Sequence, residues 1–251
     1  MPGRSYDDRD LKLLWGLAAA RCSYPSCRQL LAAPATEADE AQTLGRVAHI
    51  VARSNAGPRG DPAFPESERR RYPNLILLCG HHHTLVDVQP STYTSDDLRH
   101  WKRDHEAWVR ESLAAEMHEV GFAELEIVTR GIAGHPMEPV TDFSVTPPAE
   151  KMERNTLTPQ VNGLLNIGYL RTKEVEAFVE AVSQHDPRFP EALKAGFVER
   201  YDDLRAQGFG GDDLFEALRE FASSRRWDFQ RQAAGLAVLV YLFDKCEVFE
   251  P

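Results

Sequence analysis

Residues 79–83, "CGHHH", hold one of the chain's four cysteines and three of its nine histidines. A second group, "CSYPSC", places Cys22 and Cys27 at the two ends of a short proline-containing turn. Thiolates and imidazoles in such pairs are the ligands that tetrahedral Zn²⁺ prefers. The alternative is a polar turn that is merely rich in histidine, but three of the four cysteines would then stand at ligand spacing by chance. The sequence therefore predicts a structural zinc held by Cys22, Cys27, Cys79 and His82.

The remaining cysteine and histidines need separate interpretations. Cys246 lies in an apolar segment and is predicted to be a small buried hydrophobic residue. His49 stands in the strand-like segment "VAHIVA", where a lone histidine would be a core residue bonded to a backbone carbonyl. The zinc site leaves His81 and His83 unused, and His81 is expected to face solvent or a ligand.

The elements around these residues follow from hydrophobic spacing and from turn residues. A helix is predicted at 9–22, a strand at 43–52, a Gly/Pro-rich loop at 53–67, a strand or buried turn at 74–79 and a helix at 94–117. Two apolar strands therefore precede the histidine cluster, and a helix follows it.

The second half of the chain has a different character. Residues 129–159 are rich in Gly, Pro and Thr, and helices are predicted at 170–185, 190–208, 211–224 and 227–246. The last helix is apolar on almost all sides, which fits a central bundle helix or a helix covered by a partner. The expected fold class is α+β: a first domain at 1–117, a linker at 118–156 and an all-α domain at 157–251.

Charge also separates the two halves. The chain has a net charge of −10, but residues 1–115 hold 15 basic and 15 acidic residues, so the acidity belongs to residues 116–251. An electrostatic objection to DNA binding therefore applies to the second half only. The sequence shows no signal-peptide pattern, and its longest apolar stretch, 233–243, is too short to span a bilayer, so we expect a cytoplasmic protein without a membrane partner.

Residues 10–112 resemble the HNH endonucleases of the ββα-metal type. The matching segments are "CSYPSC", "AHI", "GPRGD", "NLILLC" and "HHHTLVD", followed by "WKRDHE". They look most similar to the HNH domains of bacterial anti-phage effectors. The resemblance implies a zinc-stabilised nuclease domain that hydrolyses phosphodiester bonds with a single catalytic Mg²⁺ or Mn²⁺.

The resemblance also implies roles for individual residues. His49 would be the general base that deprotonates a water, Asn74 would orient His49 or the loop between the strands, and His83 would be a ligand of the catalytic ion. Many HNH enzymes have a further metal ligand immediately before the base, and here that residue is Ala48. Either the ion gains a ligand elsewhere, with Asp87 a candidate, or it is held weakly, with waters and phosphate oxygens completing its shell. Asp87 could instead orient His83 by a hydrogen bond.

Phosphodiester hydrolysis needs a base, charge neutralisation and a stabilised leaving group. A histidine with a pKa near 7 and a divalent ion supply these needs. Arginines in and after the loop between the strands are expected to contact DNA phosphates with little sequence specificity. They are Arg53, Arg59, Arg69, Arg70 and Arg71.

Residues 157–251 resemble the small C-terminal domain on effectors of the Lamassu group, three-component anti-phage systems built around an SMC-like ABC ATPase. The resemblance rests on "GFVERYDDLRAQGFGGDDLFEALREFA" and "AVLVYLFDKCEVFE". It implies docking into a complex with the ATPase and a middle component, followed by release and assembly of the effector, a homo-oligomer when active.

Three functions are consistent with the sequence. The first is a regulated, metal-dependent DNA endonuclease that acts as a defence effector. The second is a zinc-stabilised DNA-binding or scaffold subunit whose nuclease has decayed, a reading that Ala48 favours and the retained His49, Asn74 and His83 oppose. The third is an HNH effector activated by a cyclic nucleotide, for which the helical half shows no phosphate-binding glycine loop.

Overall fold

The computed structural model of the chain describes residues 6–36, 38–133, 153, 155–223 and 228–245. The chain divides into two units, Met1–Val109 and Arg110–Pro251, and the division falls within one helix, α3 (Ser95–Met117). The described part of the first unit contains two small antiparallel sheets and several helices, whereas that of the second is helical. The predicted α+β class is confirmed. None of the described helices combines the length and the apolarity that crossing a membrane requires.

The centre of the first unit is one fully buried strand. This strand, β4 (Leu75–Cys79), pairs antiparallel with β3 (Gly45–His49) over five residue pairs. All five residues of β4 are buried, whereas in β3 only Ala48 is. A strand covered on both faces carries a continuous apolar run, which is why "LILLC" does not alternate with polar residues.

Two helices pack against this pair of strands, and a third lies partly in the same unit. They are α1 (Asp8–Leu17), α2 (Gly80–Val88), which follows β4 without a loop, and the N-terminal part of α3. Thr94 caps α3 reciprocally: its Oγ1 accepts from the Asp97 backbone N–H at 3.2 Å, and the Asp97 carboxylate accepts from the Thr94 N–H at 2.9 Å. Helix α3 therefore begins where the sequence predicts.

The first helix ends earlier than predicted. It stops at Leu17 rather than continuing to residue 22, because Ala19 and Ala20 have φ of 48° and 52°. These left-handed residues turn the chain so that Arg21 forms a bridge with Leu30. The turn that carries the first two cysteines is closed in this way. Beyond it, β1 (Ala32–Ala33) pairs with β2 (Gln42–Thr43).

The second unit contains six described helices after α3. They are α4 (Phe122–Ala133), α5 (Pro159–Tyr169), α6 (Thr172–Ser183), α7 (Phe189–Ala206), α8 (Asp212–Ala222) and α9 (Phe229–Lys245). Helix α4 corrects the predicted linker, which was placed over 118–156. Its Leu125, Val128, Thr129 and Ile132 are buried at helical spacing, so this segment is part of the core. The predicted burial of Cys246 lies outside the described residues.

Helix α9 is the central helix of the second unit. Eleven of its residues are buried, and it packs against α4, α5, α6 and α8. Its approach to α5 is close, since a Cβ on Gly168 would lie 2.4 Å from Cγ2 of Val240. The apolar sequence of this helix is therefore used within its own bundle.

Candidate metal centre and candidate active-site cleft

The predicted zinc ligands converge on one point. The ligand atoms of Cys22, Cys27, Cys79 and His82 all lie within 4.8 Å of one another. Nδ1 of His82 lies 3.6 Å from Sγ of Cys22 and 3.2 Å from Sγ of Cys79. Tetrahedral bonding with Zn–S of about 2.3 Å and Zn–N of about 2.0–2.1 Å requires a sulfur-to-nitrogen separation of about 3.6 Å. The cluster could therefore hold a metal ion and is compatible with zinc.

Local backbone structure fixes two of these ligands relative to each other. Cys79 is the N-cap of α2, and its Sγ accepts from the backbone N–H of His82 at 3.5 Å. The two side chains therefore leave the same first turn of the helix. Sγ of Cys22 also accepts from the backbone N–H of Cys79 at 3.3 Å, and the N–H of Ser23 donates to the carbonyl of Leu77 at 2.9 Å. The cysteine turn is thus attached to the end of β4.

Burial and ring stacking complete the surroundings of the cluster. Cys22 is fully buried, and burial raises the pKa of its thiol to about 12. A thiolate at this position consequently needs a cation to replace the proton. The ring of Tyr24 stacks on His82 with 3.8 Å between centroids and 4° between planes. This stacking holds the imidazole so that Nδ1 faces the sulfurs.

A separate cleft of about 590 Å³ lies in the same unit. It is lined by His49, His83 and Asp87 together with four arginines, Arg46, Arg53, Arg59 and Arg70. None of the four zinc-type ligands lines it. The structure therefore brings the predicted base and the predicted metal-binding histidine together in a cleft where cationic side chains outnumber carboxylates.

His49 is half-buried at the end of β3. Its Nε2 is buried and makes no hydrogen bond within the described part of the chain, and the side chain lines the cleft. Burial, followed by the nearby positive charge of Arg53, lowers the pKa of His49 below its ordinary value of about 6.5. The imidazole is therefore neutral at pH 7 and able to accept a proton.

Asn74 is buried at the start of β4 and braces the loop between the strands. Its Oδ1 accepts from the backbone N–H of Val51 at 2.9 Å, and its Nδ2 donates to the carbonyls of Val51 and Arg69, both at 2.9 Å. All of these bonds go to the loop backbone. Of the two roles that the resemblance implies, the contacts favour orientation of the loop.

His83 and Asp87 stand one turn apart on α2, with Nδ1 of His83 3.7 Å from Oδ2 of Asp87. The other carboxylate oxygen, Oδ1, accepts from Nη2 of Arg59 at 2.7 Å. Both side chains are partly exposed in the cleft. Within the described residues, His49, His83 and Asp87 do not form a further cluster of three converging ligands.

The five predicted phosphate-binding arginines divide into two groups. Arg53, Arg70 and Arg71 are exposed, and the first two line the cleft, but Arg71 lies 3.3 Å from the carboxylate of Asp10. Arg59 and Arg69 are corrections, because their guanidinium groups are buried and donate to backbone carbonyls of the unit. A buried guanidinium whose N–H groups are already used has little left to offer a phosphate.

The cleft also includes two residues that the sequence did not single out. Arg46 lies on β3, three residues before His49, and is exposed. The Tyr6 ring lies with its centroid 5.6 Å from that of His49. Neither residue carries a local signal. Arg46 and His49 stand three positions apart, so the alternation of side chains along β3 does not place them on one face, and Tyr6 precedes α1, far from His49 in sequence.

No protein-family model matches the sequence, and no curated protein matches it either.

Proposed function

We propose that the first unit is a metal-dependent DNA endonuclease of the HNH type. One observation carries this proposal: His49 and His83, distant in sequence, line one arginine-rich cleft that is separate from the Cys3His cluster. The order β3, β4, α2 supports it, because the two antiparallel strands followed at once by a helix match the ββα arrangement that the resemblance implies.

Zinc is the proposed occupant of the Cys3His cluster, and its role is structural. All four coordination positions are supplied by the chain, which is typical of structural rather than catalytic zinc. The ion would hold the turn of Cys22 and Cys27 against the start of α2. It would in this way fix the strand and the helix that carry the cleft residues.

In the proposed reaction, His49 accepts a proton from a water in the cleft. The water oxygen then forms a bond to phosphorus, the bond from phosphorus to the leaving oxygen breaks, and the leaving oxygen takes a proton from solvent. Arg53 and Arg70, both exposed on the cleft, would bind the phosphates on either side of the scissile one. Non-specific backbone contacts of this kind fit a nuclease with low sequence specificity.

A divalent ion, Mg²⁺ or Mn²⁺, would supply the charge that stabilises the pentacovalent phosphorus and the leaving oxygen. His83 is the residue proposed to hold it. Mg²⁺ commonly keeps several waters and uses substrate phosphate oxygens as ligands, so a site with few protein ligands fits its chemistry. Ala48 is buried in β3 and offers no ligand atom.

The second unit is proposed to dock the nuclease into a complex with an SMC-like ABC ATPase and a middle component, and to control its assembly into an active oligomer. Since α9 is used inside the bundle, a docking surface must lie elsewhere. In the described part of this unit, three large apolar side chains are about half exposed: Phe122 at 50%, Ile127 at 47% and Leu170 at 54%. The first two lie on α4, which makes this helix the candidate contact.

The experiment that tests the nuclease is nicking of supercoiled plasmid by the full chain, with Mg²⁺ or Mn²⁺ and at several protein concentrations. Metal-dependent cutting that rises steeply with concentration supports a nuclease activated by assembly. If the zinc-loaded protein binds DNA but never cuts, alone or with the partner proteins, the scaffold function is favoured. Activation by added cyclic nucleotide would favour the third function.

A further inference from the structure

One arginine connects the two walls of the cleft. The side chain of Arg59 is only 3% exposed. Its Nε donates to the carbonyl of Ile50 at 3.0 Å, and its Nη2 donates to the carbonyl of His49 at 3.2 Å. The same guanidinium reaches α2, where Nη1 donates to the carbonyl of Val86 and Nη2 to Oδ1 of Asp87 at 2.7 Å.

These contacts use four of the five N–H donors of a guanidinium. Val86 lies in the last turn of α2, where carbonyls have no partner within the helix and favour a positive charge. The end of β3 and the end of α2 are therefore joined through one planar, charged group. A planar group with a fixed fork of donors sets the distance between its acceptors more firmly than a flexible ammonium does.

The backbone of the "GPRGD" segment places Arg59 there. Arg59 itself has a φ of 58°, in the left-handed region that residues with a Cβ adopt at an energetic cost. The next residue, Gly60, has no room for a side chain, since a Cβ would lie 2.1 Å from the carbonyl oxygen of Asn55. The loop adopts this conformation despite its energetic cost. It thereby places the guanidinium of Arg59 between β3 and α2, the two walls of the cleft.

We infer that Arg59 is a positioning residue that sets the relation between His49 and His83. This inference rests on the proposed function for the roles of those two histidines. Arg59 holds the backbone of His49 and one carboxylate oxygen of Asp87. The other oxygen of Asp87 faces Nδ1 of His83 at 3.7 Å. Nε2 of His83 is then the nitrogen directed to a catalytic ion, and Asp87 stands behind it instead of being a ligand.

The test uses the full-length, zinc-loaded Arg59→Lys variant. This change keeps the positive charge but removes the planar, forked set of N–H donors. Arg69→Lys is the matched control, because Arg69 is also buried and its donors go to Asn55 and to the carbonyls of Ala52, Asp61 and Phe64, none of which lies on α2 or belongs to His49. The first readout is the NMR signals of the His49 and His83 imidazoles without Mg²⁺ or substrate. The second is kcat and KM for plasmid nicking.

Arg59→Lys should move the signals of both imidazoles and lower kcat by about 10- to 100-fold with little change in KM, because catalysis depends on ångström-level placement. Arg69→Lys should leave both signals in place and keep kcat per folded molecule. Equal behaviour of the two variants would overturn the inference. If the wild type does not cut DNA, alone or with the partner proteins, the nuclease proposal fails, yet the imidazole signals still decide whether Arg59 positions these histidines.

Asp87→Asn provides a second variant in case Arg59→Lys does not fold. It removes the carboxylate charge and leaves the carbonyls of His49 and Ile50 available to Arg59. The His83 signal should move while that of His49 stays. An unchanged His83 signal would contradict the role given to Asp87.

Discussion

The Cys3His cluster and the arginine-rich cleft each bring histidines together with other possible ligands in one unit, and they differ in how closely those side chains converge. In the cluster, four ligand atoms converge and the ligands Cys22 and Cys79 are buried. In the cleft, the side chains of His83 and Asp87 are 30% and 35% exposed, and among the described residues no third ligand converges with them. A closed ligand set serves stability, whereas an open one leaves positions for substrate and water. In the proposed function, the closed cluster supports the fold and the open cleft carries the chemistry.

The largest expected effect is loss of the first unit's fold when the cluster is broken. His82→Ala removes one ligand, and structural zinc contributes on the order of 10 kcal/mol to small zinc-dependent folds. We expect the variant to bind less than one zinc per chain and to lose amide protection across β3 and β4. His81→Ala is the control, since His81 is exposed and outside the ligand set. Retention of zinc and fold by His82→Ala would contradict the assignment.

Substitution of a residue in the arginine-rich cleft is expected to lower activity without unfolding the first unit. His83→Ala should lower the rate of plasmid nicking by about 10²- to 10⁴-fold while zinc content and thermal midpoint stay near those of the wild type. A partial recovery at high Mn²⁺ would fit a weakened ion site. His100→Ala serves as the control, because His100 is exposed on α3 and pairs with Asp104. If His83→Ala loses zinc together with activity, the two sites are not independent.

The sequence predicts the residues of the Cys3His cluster more completely than the contacts that form the arginine-rich cleft. Cys22, Cys27, Cys79 and His82 were predictable because each pair is local, one across a turn and one across the first turn of a helix. The strand pair and α3 were also visible, since apolar spacing and a capping box are local signals. The cleft depends on contacts between distant segments, such as Arg59 with His49 and Val86. The sequence predicts an arginine in a Gly/Pro-rich loop to be a phosphate contact, and only the folded chain shows that its donors go to those carbonyls.

The error at α4 has a similar cause. The predicted linker was drawn from the Gly, Pro and Thr content after residue 128, whereas Leu125, Val128 and Ile132 form a stripe that the bundle buries. The Gly, Pro and Thr content at the end of the predicted linker hid the helical spacing of apolar residues at its start. The central position of α9, by contrast, follows from a sequence that is apolar on all sides.

Acidification is expected to lower the free energy of unfolding of the first unit by an intermediate amount. His105 is fully buried on α3, and burial, assisted by the charge of Arg28, lowers its pKa to about 4. The unfolded chain takes up this proton below about pH 6.5, whereas the folded unit excludes it until about pH 4. Stability is therefore fully present above pH 6.5 and is lost as the pH falls through this window, by about 3 kcal/mol in total.

Thermal midpoints at pH 7.5 and pH 5 check this prediction. Because carboxylates contribute equally to both proteins, the difference between wild type and His105→Gln isolates the histidine. His105→Gln should be less stable at pH 7.5 and should lose less on acidification. Parallel slopes would show that His105 is not the group responsible.

The smallest expected effects concern the charge of the cleft. Arg53→Gln removes a positive charge that lowers the pKa of His49, so the acid limb of kcat/KM should move toward higher pH. If Arg53 also binds a phosphate, the slope of log affinity for DNA against log salt should fall by about 1. Arg103→Gln, exposed on α3 and outside the cleft, should change neither. If the acid limb of kcat/KM does not move in Arg53→Gln, the group that titrates there is not His49.

The most direct test of the division between a structural metal site and a reactive cleft is Mg²⁺-dependent plasmid nicking by His49→Ala, with zinc measured in the same preparation. The account predicts one zinc per chain, a normal fold and a nicking rate about 10²- to 10⁴-fold below that of the wild type. A variant that cuts DNA at the wild-type rate with its zinc in place would show that His49 is not the base.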